Sequence, residues 1–306
     1  DPNYKKVYCA VSVIHLLNGD IKKGFELYEG RMIDEVFNHI NSTDLPFWDG
    51  THQNVLIMWE QGFGDSFQFF RFVAPLKKQY PNTNFTFLCQ KKIKHLFNPI
   101  IPIVTTLDIK KYDSKLAFMS IPHVLELNSI KSLAEEPYIK VNQDKLSFWK
   151  TKLSTNYKIG LCWKGNNQMS TIEKYIPLEL FKNIADLNVE LISLQKGDGE
   201  EELDTITFKN KIKRFEIDTV QSFTDTVAIL KNIDLFITVD TSLVHLAGIL
   251  GVKTYLVLGY LSEWRWGKEG RDTYWYDSVK IFRSNKIGDW SGVLGEIENE
   301  LITSSK

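Results

Sequence analysis

Apolar residues recur at helical spacing near the start of the chain, where residues 4–40 are predicted to be helical. Gly19 is expected to end a first helix, and "IKKGFELYEGRM" begins a second. This pattern predicts a helix–turn–helix hairpin, the unit of helical-repeat arrays, although one pair cannot show a repeat period. The apolar face of the first helix is formed by Val7, Ala10, Val11, Ile14 and Leu17.

From residue 54 onward the pattern changes to short apolar runs that alternate with helical stretches. This alternation predicts open, mainly parallel sheets with helices on their faces. A polar, helix-like stretch at 141–157 separates two such α/β units, near 46–140 and 158–285. Ligands of these sheets bind at the carboxyl ends of the strands, so we expect the site in a cleft between the units. The predicted strands are "NVLIMW", "FTFLC", "PIVTTL" and "LAFMSI", then "KIGLCW", "VELISL", "KIKRFEI", "DLFITV" and "KTYLVLG".

Composition excludes some classes of function. The 306 residues carry 37 basic and 38 acidic side chains, and no basic run marks a nucleic-acid interface. Three widely spaced cysteines suit a reducing compartment and have no zinc-site spacing. No apolar run reaches the roughly 18 residues of a membrane helix, and no signal peptide is visible. We therefore expect a cytoplasmic protein, and the start at Asp1 rather than Met suggests a fragment of a longer one.

The stretch "MWEQGFGDSFQFFRF" is predicted to be strand, turn and helix. Gly62 and Gly64 permit a tight turn with positive φ and let a ligand approach the backbone. Asp65 is expected at the N-cap of the following helix, a position that aspartate favours. A single G-x-G is weak as a nucleotide-site signal, so from this stretch alone a structural cap is favoured over a catalytic carboxylate.

Two later stretches suggest an anion site. In "KIGLCWKGNNQ" a strand ends in a glycine loop with Lys164, which suits a phosphate, although a solvated loop lysine fits equally well. In "VDTSLVH" a helix begins at Asp240, Thr241 and Ser242, and a helix N-terminus at a strand's carboxyl end is a ready phosphate site. His245 shares that helix face, but a lone histidine on an apolar helix is more often a packed core residue.

A tryptophan-rich stretch follows the last predicted strand. Four tryptophans lie between residues 264 and 290 in "WRWGKEGRDTYWYDSVKIFRSNKIGDW". Such a loop can stack a base or a sugar, or it can be a packed structural lid. Composition leaves both explanations open.

Together these stretches resemble glycosyltransferase family 9, the ADP-heptose:lipopolysaccharide heptosyltransferase-like proteins of GT-B fold. The resemblance covers about residues 50–300 and is greatest to the branch linked to tetratricopeptide repeats. "LLNGDIKKGFELYEGR" (16–31) resembles the last repeat pair that precedes that catalytic domain. The motifs that carry it are "GFGD" (62–65), "GLCWKGN" (160–166), "KYIPL" (174–178), "SLQKG" (193–197), "DTVAILKNIDLFITVDTSLVHLAGILGV" (225–252), "WRWG" (264–267), "WYDSVKIFR" (275–283) and "GDW" (288–290).

The resemblance implies an α/β fold of GT-B type, with two Rossmann-like domains and a central cleft. A short tetratricopeptide-like hairpin in 1–45 would precede an acceptor domain at 46–150. A nucleotide-sugar domain would occupy 151–286, and a C-terminal helix at 287–306 would pack back on the N-terminal domain.

The resemblance also implies an inverting, metal-independent glycosyltransferase of hexosyl or heptosyl type. It would move a sugar from a nucleotide-diphosphate donor to a hydroxyl of a glycan, lipopolysaccharide or protein, with Asp65 as general base and no further cofactor. Two departures leave the donor's base and sugar open: Ser242 replaces a glycine, and Lys174 replaces an arginine. The implied donor- and phosphate-binding residues are Gly64, Lys164, Asn166, Lys174, Gln195, Asp240, Thr241, Ser242 and His245, with Trp163, Trp264 and Trp266 as stacking candidates.

Three other functions stay open at this point. The chain is also compatible with a catalytically idle nucleotide-sugar-binding module on a tetratricopeptide scaffold. It is compatible with an enzyme that modifies protein, using the helices to hold a peptide partner, or with a structural protein that binds no nucleotide. The expected setting is cell-envelope glycan synthesis in the cytoplasm, with peripheral association with the inner membrane left open.

Overall fold

The computed structural model describes residues 5–33, 38–131, 137–165 and 173–304. The chain forms two compact units, which divide between Lys140 and Val141. The predicted boundaries at residues 45, 150 and 286 and the cleft between the units remain predictions.

The first unit begins with two packed helices, α1 (Lys5–Leu17) and α2 (Ile21–Tyr28). Gly19 has φ +79° between them, and the Asp20 carboxylate accepts the Lys23 N–H to cap α2. At Gly24 an added Cβ would lie 2.5 Å from Leu16 Cδ2, so glycine permits the close approach of the helices. A 3₁₀ turn (Glu29–Ile33) follows α2. The assignment of this hairpin to a tetratricopeptide repeat remains a prediction.

A four-stranded parallel sheet forms the core of the first unit. Its strand order is β3-β2-β1-β4, so β1 is paired on both sides, and its last four residues are buried. Phenylalanine rings fill the space around it, with Phe70 stacked on Phe97 and Phe87 on Phe118. The strands are β1 (Asn54–Met58), β2 (Asn84–Leu88), β3 (Ile103–Val104) and β4 (Ser114–Ala117), and the helices are α3 (Asn38–Asn41), α4 (Phe63–Phe69), α5 (Val73–Gln79) and α6 (Ile121–Val124).

A six-stranded parallel sheet forms the core of the second unit, in the order β10-β9-β8-β5-β6-β7. All five residues of β8 are buried, as a strand covered on both faces requires. The sequence pattern missed β10, which pairs with β9 at the edge. The strands are β5 (Lys158–Cys162), β6 (Glu190–Ser193), β7 (Ile212–Lys213), β8 (Leu235–Val239), β9 (Thr254–Leu258) and β10 (Val279–Arg283), with helices α7 (Gln143–Lys152), α8 (Lys182–Ala185), α9 (Thr224–Leu230), α10 (Ser242–Ile249) and α11 (Trp290–Ser304).

Two helices at the ends of the second unit pack onto it. In α7, Trp149 is buried and donates its indole N–H to Asp225 Oδ1, 2.8 Å away. Helix α11 buries an apolar stripe in the core of the second unit and contacts β10 and the 3₁₀ turn Leu178–Phe181. Its predicted packing on the first unit remains a prediction. The residues of that stripe are Trp290, Val293, Leu294, Ile297 and Leu301.

The predicted fold class is confirmed: both units are α/β, and both sheets are parallel. Among the helices of the described residues, none is both long enough and apolar enough to cross a bilayer.

Candidate functional site

The turn after β1 carries Asp65 at the start of α4. The helix begins at Phe63 with Gly62 as its N-cap, so the prediction that Asp65 is itself the N-cap is wrong. Asp65 is the third helical residue, and its Oδ2 accepts the Gly62 N–H at 2.8 Å. The carboxylate thus reaches back over the first turn, as the acidic residue of a capping box does.

The backbone of this turn also differs from the prediction. Positive φ occurs at Gln61 (+54°) and at neither Gly62 nor Gly64. Asp65 is half-buried, as is Gly64. Gln90 lies two residues beyond the end of β2. Its Oε1 accepts a hydrogen bond from the hydroxyl of Ser66, the residue after Asp65, at 2.8 Å. Asp65 therefore lies at the carboxyl edge of the first sheet, where α/β sheets bind their ligands.

The base of the same turn contains a buried ion pair that sequence reasoning missed. Glu60 is 0% exposed and pairs with Arg31, which is 1% exposed. A signal for it was present in "MWEQG", because a carboxylate beside a buried strand must find a partner.

In the second unit, Gln195 holds the loop that carries Lys164. Its Oε1 accepts the N–H groups of Trp163 and Lys164, each at 3.0 Å. Its Nε2 donates to the carbonyl groups of Lys164 (2.9 Å) and Asp198 (2.7 Å). The amide is thus engaged with backbone, and a direct role of Gln195 in donor binding stays a prediction.

Two lysines lie on adjacent segments of this loop. Backbone pairing between Lys164 and Tyr175, with Gly165 N–H donating to Lys174 O at 2.7 Å, brings both lysines to one edge of the sheet. Lys164 Nζ lies 5.2 Å from the centre of the Tyr175 ring and 3.7 Å from Glu201 Oε1. Glu201 is exposed, so this ion pair is weak and leaves the Lys164 ammonium available to a ligand.

Lys174 reaches the end of β8. Its Nζ lies 2.9 Å from Asp240 Oδ2, and the two side chains are 18% and 8% exposed. Burial raises the pKa of the Asp240 carboxyl, although Lys174 pulls this pKa down. A Cβ on Gly165 would lie 3.2 Å from Lys174 Cβ and 3.4 Å from both Asp240 O and Thr241 Cγ2, so the lysine loop and the β8–α10 turn pack closely there.

Helix α10 begins at this point. Thr241 is its N-cap, with Oγ1 accepting the Leu243 N–H at 3.2 Å, and Ser242 is its first residue. The structure therefore brings Lys174, Asp240, Thr241 and Ser242 together at a helix N-terminus. Cationic groups beside backbone N–H groups are the chemistry that binds a phosphate.

His245 is held inside the unit. It is 5% exposed, its Nδ1 lies 2.9 Å from the Tyr276 hydroxyl, and its ring stacks on Trp266 at 5.4 Å. These contacts are those of a packed core histidine that supports α10. Direct contact of His245 with a donor stays a prediction.

The three tryptophans predicted to stack a base or sugar are buried. Trp163 is 0% exposed and donates its indole N–H to Glu202 Oε1, while Trp264 and Trp266 are 5% and 2% exposed. Rings at this depth have almost no open face, so their burial favours packing over stacking. Asn166 lies outside the described residues. Among residues that are described, no three His, Cys, Asp or Glu side chains gather as a metal ion would need.

Comparisons with known proteins agree with this fold. No protein-family model matches the chain. Protein FlbA of Caulobacter vibrioides (strain ATCC 19089 / CIP 103742 / CB 15) is 24% identical over 327 residues, covering 95% of this chain. The chain spans about half the length (54%) of that curated relative.

Three solved structures share the fold. E. coli ADP-heptose LPS heptosyltransferase II has a TM-score of 0.59 at 13% identity, covering 83% of this chain and 100% of that one. A family 9 glycosyltransferase from Veillonella parvula DSM 2008 has a TM-score of 0.58 at 14% identity, covering 86% and 97%. The dodecameric iron-containing heptosyltransferase TibC, solved with ADP-D-beta-D-heptose, has a TM-score of 0.57 at 12% identity, covering 85% and 79%. The GT-B heptosyltransferase fold expected from the resemblance is thereby confirmed.

Proposed function

We propose that this chain is a glycosyltransferase domain that moves a sugar from a nucleotide-diphosphate donor to an acceptor hydroxyl. The observation that carries the proposal is the grouping of Lys174, Asp240, Thr241 and Ser242 at the N-terminus of α10, with Lys164 on the adjoining segment. The shared fold with heptosyltransferases, one of them solved with ADP-D-beta-D-heptose, supports this choice of ligand.

In this proposal the second unit holds the donor. The two lysines and the N–H groups at the start of α10 bind the diphosphate, whose negative charge grows as the bond to the sugar breaks. Lys174 exchanges part of its contact with Asp240 for a phosphate oxygen. These groups supply the positive charge that the leaving diphosphate requires, so the proposed mechanism needs no metal ion and no cofactor besides the donor.

Asp65 of the first unit is the proposed general base. It takes the proton of the acceptor hydroxyl while that oxygen forms a bond to the anomeric carbon. The bond between this carbon and the diphosphate oxygen breaks in the same displacement, and the nucleoside diphosphate leaves. A single displacement inverts the anomeric carbon and requires one carboxylate.

The acceptor and setting follow from the same proposal. A glycan, a lipid-linked sugar or a protein hydroxyl satisfies the chemistry, and the α1–α2 hairpin is the element that would hold a peptide acceptor. A cytoplasmic donor pool would place the reaction in the cytoplasm.

One observation favours a second candidate, a nucleotide-sugar-binding module without turnover. The Asp65 carboxylate already accepts the Gly62 N–H, which a purely structural cap would also do. Turnover separates the two candidates, because a binding module holds the donor and releases no nucleoside diphosphate.

The test begins with thermal unfolding in the presence of ADP-, UDP-, GDP- and CDP-sugars. The correct donor at 100 times its Kd should stabilise the protein by about 2.7 kcal/mol. Release of nucleoside diphosphate is then measured for wild type, Asp65→Asn and the exposed control Asp108→Asn.

Asp65→Asn should keep donor affinity and lower turnover by about 10²- to 10⁴-fold, because a general base contributes that much. Asp108→Asn should match wild type. Full turnover by Asp65→Asn would remove the base assignment, and no stabilisation by any of the four donors would contradict the donor site.

A further inference from the structure

The buried pair of Arg31 and Glu60 joins the helical hairpin to the turn that carries Asp65. Arg31 lies on the 3₁₀ turn after α2, and Glu60 lies two residues beyond the end of β1. Arg31 Nε donates to Glu60 Oε2 at 2.8 Å, and Nη2 donates to Oε1 at 3.0 Å. This two-pronged geometry fixes both the distance and the orientation of the carboxylate.

Further hydrogen bonds extend this pair. Glu60 Oε1 also accepts the Met119 N–H at 2.6 Å, just beyond β4. Arg31 Nη1 donates to Glu29 Oε1 at 2.9 Å, and Nη2 donates to Ser120 Oγ at 2.9 Å. A well-packed apolar pair of similar size often stabilises a core as well as a buried ion pair does. Stability alone therefore explains this network poorly, whereas a need for one fixed geometry explains it well.

Two more contacts link the hairpin to the same turn. Gln61 Nε2 donates to the Tyr28 hydroxyl at 3.1 Å. Gln61 also has φ +54°, a backbone conformation that residues other than glycine seldom adopt. Phe25, 1% exposed, meets Phe69 of α4 edge-on with ring centres 6.0 Å apart. The hairpin thus contacts the chain four residues before Asp65, at Gln61, and four residues after it, at Phe69.

We propose that the α1–α2 hairpin and the 3₁₀ turn that follows it position the Asp65 turn, with Tyr28 and Arg31 as positioning residues. The direction of the Asp65 carboxylate follows the backbone at Gln61 and Gly62, since Asp65 Oδ2 accepts the Gly62 N–H. Arg31 fixes the residue before Gln61, and Tyr28 holds Gln61 itself. The inference rests on the proposed function for the role of Asp65 as base.

The test removes one hydroxyl. Tyr28→Phe deletes the acceptor of the Gln61 amide and keeps the buried ring that packs against Phe25. Gln61 is exposed, so water can take the freed N–H and the fold should persist. The matched control is Tyr80→Phe, which deletes a hydroxyl that accepts Gln79 Nε2 at 3.3 Å beyond α5.

The first readout is turnover of the identified donor. Tyr28→Phe should lower kcat about tenfold and leave the KM for donor within about twofold, because a small misplacement of a catalytic group slows the chemical step. Tyr80→Phe should match wild type in both constants. Arg31→Lys keeps the positive charge but cannot make both hydrogen bonds to Glu60, so it should lower kcat more than Tyr28→Phe does.

The second readout needs no substrate. Hydrogen exchange of the amides of residues 60–66 should be faster in Tyr28→Phe than in wild type, whereas exchange in β6 (Glu190–Ser193) should be unchanged. This measurement separates the two proposals. If the wild type turns over no donor, the proposed function fails, and faster exchange in residues 60–66 still supports the positioning of the turn.

Three results would overturn the inference. One is exchange in residues 60–66 of Tyr28→Phe that matches wild type. Another is faster exchange in these residues together with an unchanged kcat in an active enzyme. A third is a lower unfolding temperature of Arg31→Lys while Tyr28→Phe changes neither kcat nor hydrogen exchange. That result would assign the network to stability alone.

Discussion

Each unit places a buried carboxylate just beyond its central strand, and the two carboxylates are neutralised in different ways. Glu60 follows β1 and is held by the guanidinium of Arg31 with two hydrogen bonds. Asp240 follows β8 and meets the single ammonium of Lys174 at 2.9 Å. Arginine offers a rigid planar fork, whereas lysine is a point charge on a flexible stem. A buried carboxylate just beyond a central strand thus meets a fixed guanidinium in the first sheet and an exchangeable ammonium in the second.

The ionisation of the two pairs agrees with this difference. Burial opposes the charge of Arg31, but the Glu60 carboxylate outweighs it and raises the pKa of Arg31 above its ordinary value. Burial raises the pKa of Asp240, and Lys174 only partly offsets the effect while Glu263 adds to it. Arg31 therefore stays charged in the first pair, and the second pair carries an imperfectly neutralised Asp240 carboxylate beside the proposed phosphate site.

The largest expected effect comes from breaking the first pair. Glu60→Gln removes the buried charge partner of Arg31 and leaves it only the partly exposed Glu29 carboxylate, so it should lower the free energy of unfolding by about 3–5 kcal/mol. Urea unfolding measures the change. Glu126→Gln is the matched control, because Glu126 is 75% exposed in its pair with Lys22 and should change stability by about 0.5 kcal/mol or less. A loss at Glu60 as small as the control's would show that the two buried pairs do not differ as described.

Breaking the second pair should affect ligand binding more than folding. Lys174→Gln keeps a hydrogen-bond donor near Asp240 and should lower the free energy of unfolding by about 1–2 kcal/mol. Donor affinity, measured by calorimetry, should fall about 10- to 100-fold, because a charged hydrogen bond to phosphate is worth about 1.5–3 kcal/mol. Unchanged affinity would remove Lys174 from the donor site and make its pair with Asp240 structural, like that of Glu60.

The pH dependence of the same variant sharpens the contrast. A folded-state pKa above the ordinary value means that the folded protein binds the Asp240 proton more tightly than the unfolded chain does. Ionised Asp240 therefore opposes folding, and this penalty disappears as the pH falls from neutrality through the raised pKa. Loss of Lys174 enlarges the penalty, so the stability gap between wild type and Lys174→Gln, measured by urea unfolding, should narrow as the pH falls from about 7. The opposite trend would contradict this account.

Much of the sheet architecture was predictable from the local sequence pattern, but the ion pair of Arg31 with Glu60 was not. Continuous apolar runs identified β1 and β8, because a strand covered on both faces must be apolar throughout. The partner of Glu60 lies 29 residues away, so only the tertiary structure reveals that it is Arg31. Strand β10 was missed because Lys280 and Arg283 interrupt its apolar pattern within a loop rich in tryptophan.

The site residues show the same limit. Positive φ was assigned to glycine from residue type, but the turn places it at Gln61, whose side chain is held by Tyr28. Helix α4 consequently begins earlier than predicted and moves Asp65 from the N-cap to the third position. The burial of Trp163, Trp264 and Trp266 could not be predicted from composition either, because composition gives the number of rings and not their positions in the fold.

The smallest expected effect concerns the rates at which two buried thiols, one in each unit, react with a thiol reagent. Cys89 follows β2 in the first unit, and Cys162 ends β5 in the second. Burial raises the pKa of Cys89 to about 12 and that of Cys162 to about 11, so neither is appreciably thiolate at pH 8. Half-buried Cys9 should react first with a thiol reagent, and the two buried thiols should react only as their units open.

Donor binding should then distinguish the two buried thiols. Cys162 Sγ lies 3.4 Å from Gln195 Oε1 and 4.0 Å from Thr241 Oγ1, next to the proposed phosphate site. Donor at ten times its Kd should slow Cys162 modification about tenfold, because it must dissociate before that region opens. The rate of Cys89 modification should be the same with and without donor. Mass spectrometry of the labelled peptides measures both rates. Equal slowing of both thiols would mean that the ligand stabilises the two units as one, and slowing of Cys89 alone would move the donor site to the first sheet.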